Sequence, residues 1–196
     1  MSEYLDELIA SGFIRRDFTW SLASKEESAL SHYRLSDNYL RFYIKFIAPR
    51  LAKIKKGQLR ELSLLSLPGF DSLMGYQFEN IVLNNRHLLY QALGIKPEEI
   101  VFDNPFFQRH TTKQKGCQID YLIQTQLGSL YVCEIKFSRN EIKANVVNEV
   151  KEKIKALKRP KGLACIPVLI YVSPIKPVFE EHAYFGKILD FSDFFC

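Results

Sequence analysis

The run CIPVLIYVS, residues 165–173, constrains the fold of this chain more than any other segment. It is apolar without alternation and bounded by prolines, which marks a strand buried on both faces. Such a strand requires cover above and below, so the chain reads as α/β, with helices on the faces of a mixed central sheet. The segments before it agree. Residues 75–93 (GYQFENIVLNNRHLLYQAL) carry Phe78, Ile81, Val82, Leu88, Leu89 and Ala92 at helical spacing, and Gly94 supplies a stop. Three strands are expected over 100–110, 118–125 and 130–137, the last two joined as a hairpin at Gly128-Ser129, with a bend or bulge at Asn104-Pro105. A second helix over 141–158 places Ile142, Val146, Val150, Ile154 and Leu157 on one stripe, and Pro160-Lys161-Gly162 ends it. The order is α-β-β-β-α-β.

The N-terminal part has a different character. Residues 4–10 form a short amphipathic helix with a glycine stop at Gly12, followed by FIRRDFTWSL, a polar patch over 24–31, and HYRLSD. This predicts a helix feeding a two-stranded hairpin with a loop of several residues, the back half of a winged helix. The missing front half suggests a truncated unit. Ser36 or Asp37 can cap a further helix over 39–53, with Leu40, Tyr43, Ile44 and Ile47 inward and Pro49 as a kink or stop. A basic connector leads to Pro68-Gly69. The expected division is a partial winged helix over 1–36, a helical connector over 37–70 and the α/β unit over 71–196.

Composition excludes several classes. With 196 residues, 47% apolar and 25% charged, the chain is neither disordered nor fibrous. No apolar run reaches the roughly 18 residues of a membrane helix, and MSEYLDELIA has no secretory h-region, so no membrane association and a cytoplasmic location are expected. Cys117, Cys133, Cys165 and Cys196 lack zinc-ligand spacing and read as free thiols. The histidines His32, His87, His110 and His182 show no i,i+4 pairing, which leaves them ordinary surface or core residues. The net charge of +5 is concentrated in two islands, residues 41–60 and 139–161, on an otherwise acidic body, a pattern suited to phosphates.

The chemistry lies in LYVCEIKFS. Alternation along a strand puts Glu134 and Lys136 on one face and Cys133, Ile135 and Phe137 on the other. An ionised pair on a central strand is costly unless paired or metal-bound. Asp120 interrupts the apolar neighbouring strand, and Glu79 lies close to the buried stripe of the preceding helix. Converging carboxylates with a lysine suit metal-assisted phosphodiester hydrolysis. The acids bind a hard cation, the cation activates water, and the lysine orients or deprotonates that water or stabilises the developing charge.

The set Glu79 … Asp120 … Glu134-x-Lys136, with the element order around it, resembles the PD-(D/E)XK nuclease superfamily of restriction-endonuclease-like fold over about residues 71–175. Residues 1–53, with YLDELIASGFIRR and YRLSDNYLRFYIKFI, resemble the winged-helix end and following helix of a group of prokaryotic AAA+-type ATPases. The C-terminal domain of that group is of unknown function and nuclease-like. The resemblance implies Asp120 and Glu134 as metal ligands, the Ile135 carbonyl as a third, Lys136 as the catalytic lysine and Glu79 as an accessory acid. It further implies Mg²⁺ or Mn²⁺ as cofactor and DNA as partner, with an ATPase domain missing from the N-terminal side or supplied by a separate subunit. The sequence departs from the pattern in having Ile119 before Asp120 and Asp37-Asn38 where the group has Asp-Pro. It contains no GxxxxGK[ST] loop, so it cannot be a self-sufficient P-loop ATPase. Three readings stay open: a metal-dependent endonuclease, a catalytically inactive nucleic-acid or protein-interaction module on the same fold, and a regulatory partner of a separate ATPase.

Overall fold

The computed structural model describes residues 2–112, 114–174 and 182–195. Cys196 and the side chain of His182 lie outside the described residues, while Cys117, Cys133 and Cys165 are free thiols. No helix among the described residues is long and apolar enough to cross a membrane.

Helix α1 (Ser2–Ala10) leads into the antiparallel hairpin β1 (Ile14–Ser21) and β2 (Glu26–Leu35). The loop between the strands is shorter than expected, because the polar stretch from Glu26 is already strand, its side chains lying on a partly exposed ladder. Asp37 caps α2 (Asn38–Phe42) by accepting the Leu40 N–H. The rod does not stop at Pro49. It passes through a π turn (Tyr43–Ile47) and a 3-10 turn (Ala48–Arg50) into α3 (Leu51–Lys55), a change of pitch that accommodates the missing proline N–H. Its inward residue is Phe46 rather than Ile44, which is exposed, since the π turn shifts the helical phase. Phe46 packs with Leu67 and Leu73, next to Phe42 and Phe70.

The helix expected over 75–93 is two helices, α4 (Phe70–Asn84) and α5 (Arg86–Leu93). It starts earlier because Gly69, at φ 79°, turns the chain so that Phe70 and Leu73 join the Phe46 cluster. It breaks at Asn85, whose side-chain amide donates 2.8 Å to the Ile81 carbonyl and competes with the helical ladder. Ile81 faces outward, whereas Phe78, Val82 and Leu83 are buried.

The main sheet has the order β3-β4-β5-β6-β7, comprising β3 (Ile100–Gln108), β4 (Cys117–Thr125), β5 (Ser129–Phe137), β6 (Ala164–Val172) and β7 (Lys187–Asp190). The first three strands are antiparallel neighbours, and β5, β6 and β7 run parallel. The register of β3 shifts between Asn104 and Phe106, the bulge that Pro105 imposes. Strand β7 has no clear sequence signal, being four residues long, and Phe191 after it is fully buried. Helix α6 (Asn145–Ala156) links β5 to β6.

Two apolar layers enclose this sheet. On one face Phe78, Val82 and Leu89 of α4 and α5 meet Tyr121, Cys133, Ile135 and Ile170. On the other face Val146 and Val150 of α6 meet Leu122, Val132 and Leu169, together with Trp20 and Leu22 of the hairpin. The Trp20 indole N–H donates 2.7 Å to buried Gln124, and Asn104 donates 2.9 Å to the Phe18 carbonyl, so the hairpin is pinned to β3 and β4 by polar and apolar contacts alike. Asn80 of α4 joins the third side. Its amide, entirely buried, donates to the carbonyls of Leu35 (3.1 Å) and Ser36 (3.3 Å) and to the Asn38 side chain (3.0 Å), and its oxygen accepts from Arg34.

Candidate active site

Strands β4 and β5 pair as far as Tyr121 and Cys133 and then part. Beyond that point the N–H of Ile135 finds no backbone acceptor on β4. The Asp120 carboxylate takes it at 2.9 Å, so this acid replaces a rung of the ladder and is held at the split. Ile135 is thus tied to the group through its N–H, whereas the expected role fell to its carbonyl. The split lies near the C-terminal ends of the parallel strands, the usual crevice of open α/β sheets.

Alternation sets the rest. Glu134 and Lys136 point to the α6 face, 3.0 Å apart, and the Glu134 side chain is only 3% exposed. Two strand residues advance about 6.6 Å and one helical turn about 5.4 Å. Two positions on α6 therefore match two on β5. Lys153 Nζ lies 2.5 Å from Glu134 and 3.5 Å from Asp120, and Glu149 lies 3.0 Å from Lys136. Asn145 in turn donates 2.8 Å to Glu149. The charges alternate Asp120, Lys153, Glu134, Lys136, Glu149.

All four expected side chains reach one cleft of about 520 Å³, walled by Tyr76 and Glu79 of α4 on one side and by Glu134, Lys136 and Lys153 on the other. Lys153 and Glu149 were not foreseen. Their only sequence signal is a lysine lying between Val150 and Ile154 of the α6 stripe, with an acid one turn before it.

The electrostatics differ among the acids. Burial and then the charge of Glu134 raise the Asp120 carboxyl, against the pull of Lys153 and the Ile135 N–H. Burial, followed by Asp120, pushes Glu79 up to about 7, although Arg34 and Arg41 oppose it. For Lys136 burial works against the charge, but Glu134 and Glu149 outweigh it and the ammonium stays above its ordinary value. Lys153 is likewise raised, its burial outweighed by Asp120 and Glu134. Both lysines are cations at neutral pH.

Glu79 makes the site pH-sensitive. Its folded-state pKa exceeds the unfolded one, so between about pH 4.5 and 7 only the unfolded chain releases this proton. Through this group stability falls as pH rises through that window, by on the order of 3 kcal/mol, and is flat above it. In Glu79→Gln the decline should shrink by this share, leaving only what Asp120 contributes. Urea unfolding at pH 5, 6, 7 and 8 checks it, and parallel profiles for both proteins would refute it.

A divalent cation is compatible with the donor set, since Asp120 and Glu134 present hard oxygens converging on one cationic centre, now the Lys153 ammonium. Among the described residues no three His, Cys, Asp or Glu side chains form a ready metal cluster, so Lys153 would have to yield. Comparison with family models and with curated proteins gives no match for this chain, and its chemistry is therefore read from the cleft alone.

Proposed function

We propose that the chain is a metal-dependent nuclease domain of the restriction-endonuclease-like, PD-(D/E)XK type, hydrolysing phosphodiesters of DNA. The observation that supports this best is the meeting of Asp120, Glu134 and Lys136 where β4 and β5 separate. Mg²⁺ or Mn²⁺ would be held by Asp120 and Glu134, with the Ile135 carbonyl as a third ligand, and would supply charge neutralisation and an acidified water. The residues themselves divide the remaining work. Lys136, a fixed cation between Glu134 and Glu149, stabilises charge on the phosphoryl oxygens rather than accepting a proton. Glu79, titrating near neutrality at the opposite wall, is the group matched to proton transfer. Arg139, in a bidentate pair with Asp71 (2.7 and 2.8 Å), ties the loop after β5 to the start of α4 and holds the mouth of the cleft.

The test is cleavage of supercoiled plasmid with Mg²⁺ or Mn²⁺, beside EDTA and Lys136→Ala. Nicking abolished by both controls is expected. Undiminished nicking by Asp120→Ala combined with Glu134→Ala would overturn the assignment.

One observation favours a second reading, a catalytically inactive interaction module. All four carboxylate oxygens of Asp120 and Glu134 already have partners within the chain: Lys153, the Ile135 N–H and Lys136. This reading requires that calorimetry detect no Mg²⁺ or Mn²⁺ binding. A signal that disappears in Glu134→Ala would eliminate it.

A further inference from the structure

A second cavity, of about 390 Å³, shares Tyr76, Glu79 and Asp120 with the acid-lysine cleft and extends from there towards the hairpin. Its size falls at the lower end of the range of small-ligand pockets, roughly 300–1,000 Å³. Its far wall is aromatic. The His32 ring stacks on Phe107 at 3.7 Å between centroids and 6° between planes, and Tyr33 stands next to it on β2. Tyr76 closes the near side with the Arg41 guanidinium 5.2 Å above its ring.

Two cations face the cavity in different states. Arg34 is consumed by buried Asp17 (2.7 Å) and by Asn80. Arg41 donates through one terminal nitrogen to the Leu35 carbonyl, but its Nε is buried without any hydrogen-bond partner. A buried donor without an acceptor is unfavourable, so Arg41 gains by turning towards a ligand that brings an oxygen or ring nitrogen into the cavity.

We infer that this cavity receives one unstacked nucleotide of a DNA strand, its base against His32 and Tyr76 and an acceptor on Arg41, next to the phosphate that lies at Asp120. The inference rests on the nuclease reading and gives its substrate class: unpaired DNA, either single-stranded or frayed at an end. A paired base is covered above and below by its neighbours and cannot enter a pocket walled by β2, α4 and β4. An unpaired base enters at little unstacking cost. A recess of rings and one guanidinium recognises any base through its π-face, so little sequence preference is expected.

The test uses a single-stranded oligodeoxynucleotide with 2-aminopurine at successive positions and the same strand in duplex, both in EDTA so that nothing is cut. Single-strand binding at least tenfold tighter than duplex is expected, with a fluorescence change confined to one or two adjacent positions. His32→Ala, an exposed ring whose removal spares the core, should weaken single-strand binding about 5- to 100-fold. Arg41→Met should act in the same direction. If Arg41→Met fails to fold, His32→Ala carries the test. Equal affinity for duplex and single strand, or His32→Ala binding within twofold of the parent, would overturn the inference. Because binding is read without metal, the two proposals separate. Positional fluorescence in EDTA with no cutting of the same single strand once Mg²⁺ or Mn²⁺ is added would sink the nuclease reading, whereas cutting without any single-strand preference in binding would sink only the pocket.

Discussion

Glu134→Gln is expected to lose metal-dependent cleavage by about 10³-fold or more, and to lower stability at the same time. Both effects come from one charge. Glu134 is buried and accepts from Lys136 at 3.0 Å and from Lys153 at 2.5 Å. Neutralising it leaves two ammonium groups facing a carboxamide, one of which can turn to Glu149 while the other retains only Asp120 at 3.5 Å. Removing one partner of a buried ion pair typically costs 3–5 kcal/mol, because the remaining charge stays desolvated. The isosteric amide limits the loss to about 2–4 kcal/mol, since it still accepts one hydrogen bond. The two effects can be separated. Adding Lys153→Met removes the stranded cation, and most of the stability should return in urea unfolding. Cleavage should not return, because the proposed metal ligand is still missing. If the double variant regains cleavage, Glu134 serves the fold alone.

Asn80→Ala should be the most destabilising polar substitution outside the cleft, at about 3 kcal/mol. From a fully buried position its amide reaches two carbonyls and Asn38, and its oxygen satisfies Arg34. Alanine strands these groups where the hairpin, α2 and α4 meet. For a chain of this size that corresponds to a melting temperature lower by about 6–12 °C. Asn80→Asp discriminates the cause. It keeps an acceptor for Arg34 but turns a carboxylate oxygen towards the Leu35 and Ser36 carbonyls, so its deficit should be larger at pH 8 than at pH 5. Hydrogen exchange in either variant should accelerate in β1 and β2 before β5 and β6, because only the former depend on Asn80. Uniform acceleration, or a loss under 1 kcal/mol, would show that the hub is dispensable.

The parts of the fold legible in the sequence share one property: a local pattern with a single physical solution. The run over 165–173 has no polar face, so it had to become an interior parallel strand, and it pairs with both β5 and β7. Alternation alone placed Glu134 beside Lys136, and Pro105 had to disturb β3. What failed was decided by competition between near-equal local choices. Asn85 broke the helix through a side-chain bond that a chain of apolar spacings does not reveal. The π turn moved Phe46 inward and Ile44 outward by a phase change that a 3.6-residue period cannot contain.

The same division holds for the site. Sequence by itself determined which groups carry charge in apolar surroundings, namely Glu79, Asp120, Glu134 and Lys136, because burying an ion is too costly to happen by chance in three elements. It also determined the five-strand mixed sheet in outline, lacking only β7. Tertiary structure alone decided that β4 and β5 part at Asp120, that Glu149 and Lys153 of α6 interleave with the strand charges, and that the hairpin folds back through Trp20 to close a pocket beside the acids. The reason is range. A strand's alternation is fixed by its own backbone, whereas the spacing of one charge against another across the sheet, on which binding and catalysis depend, is set by packing between segments far apart in the chain.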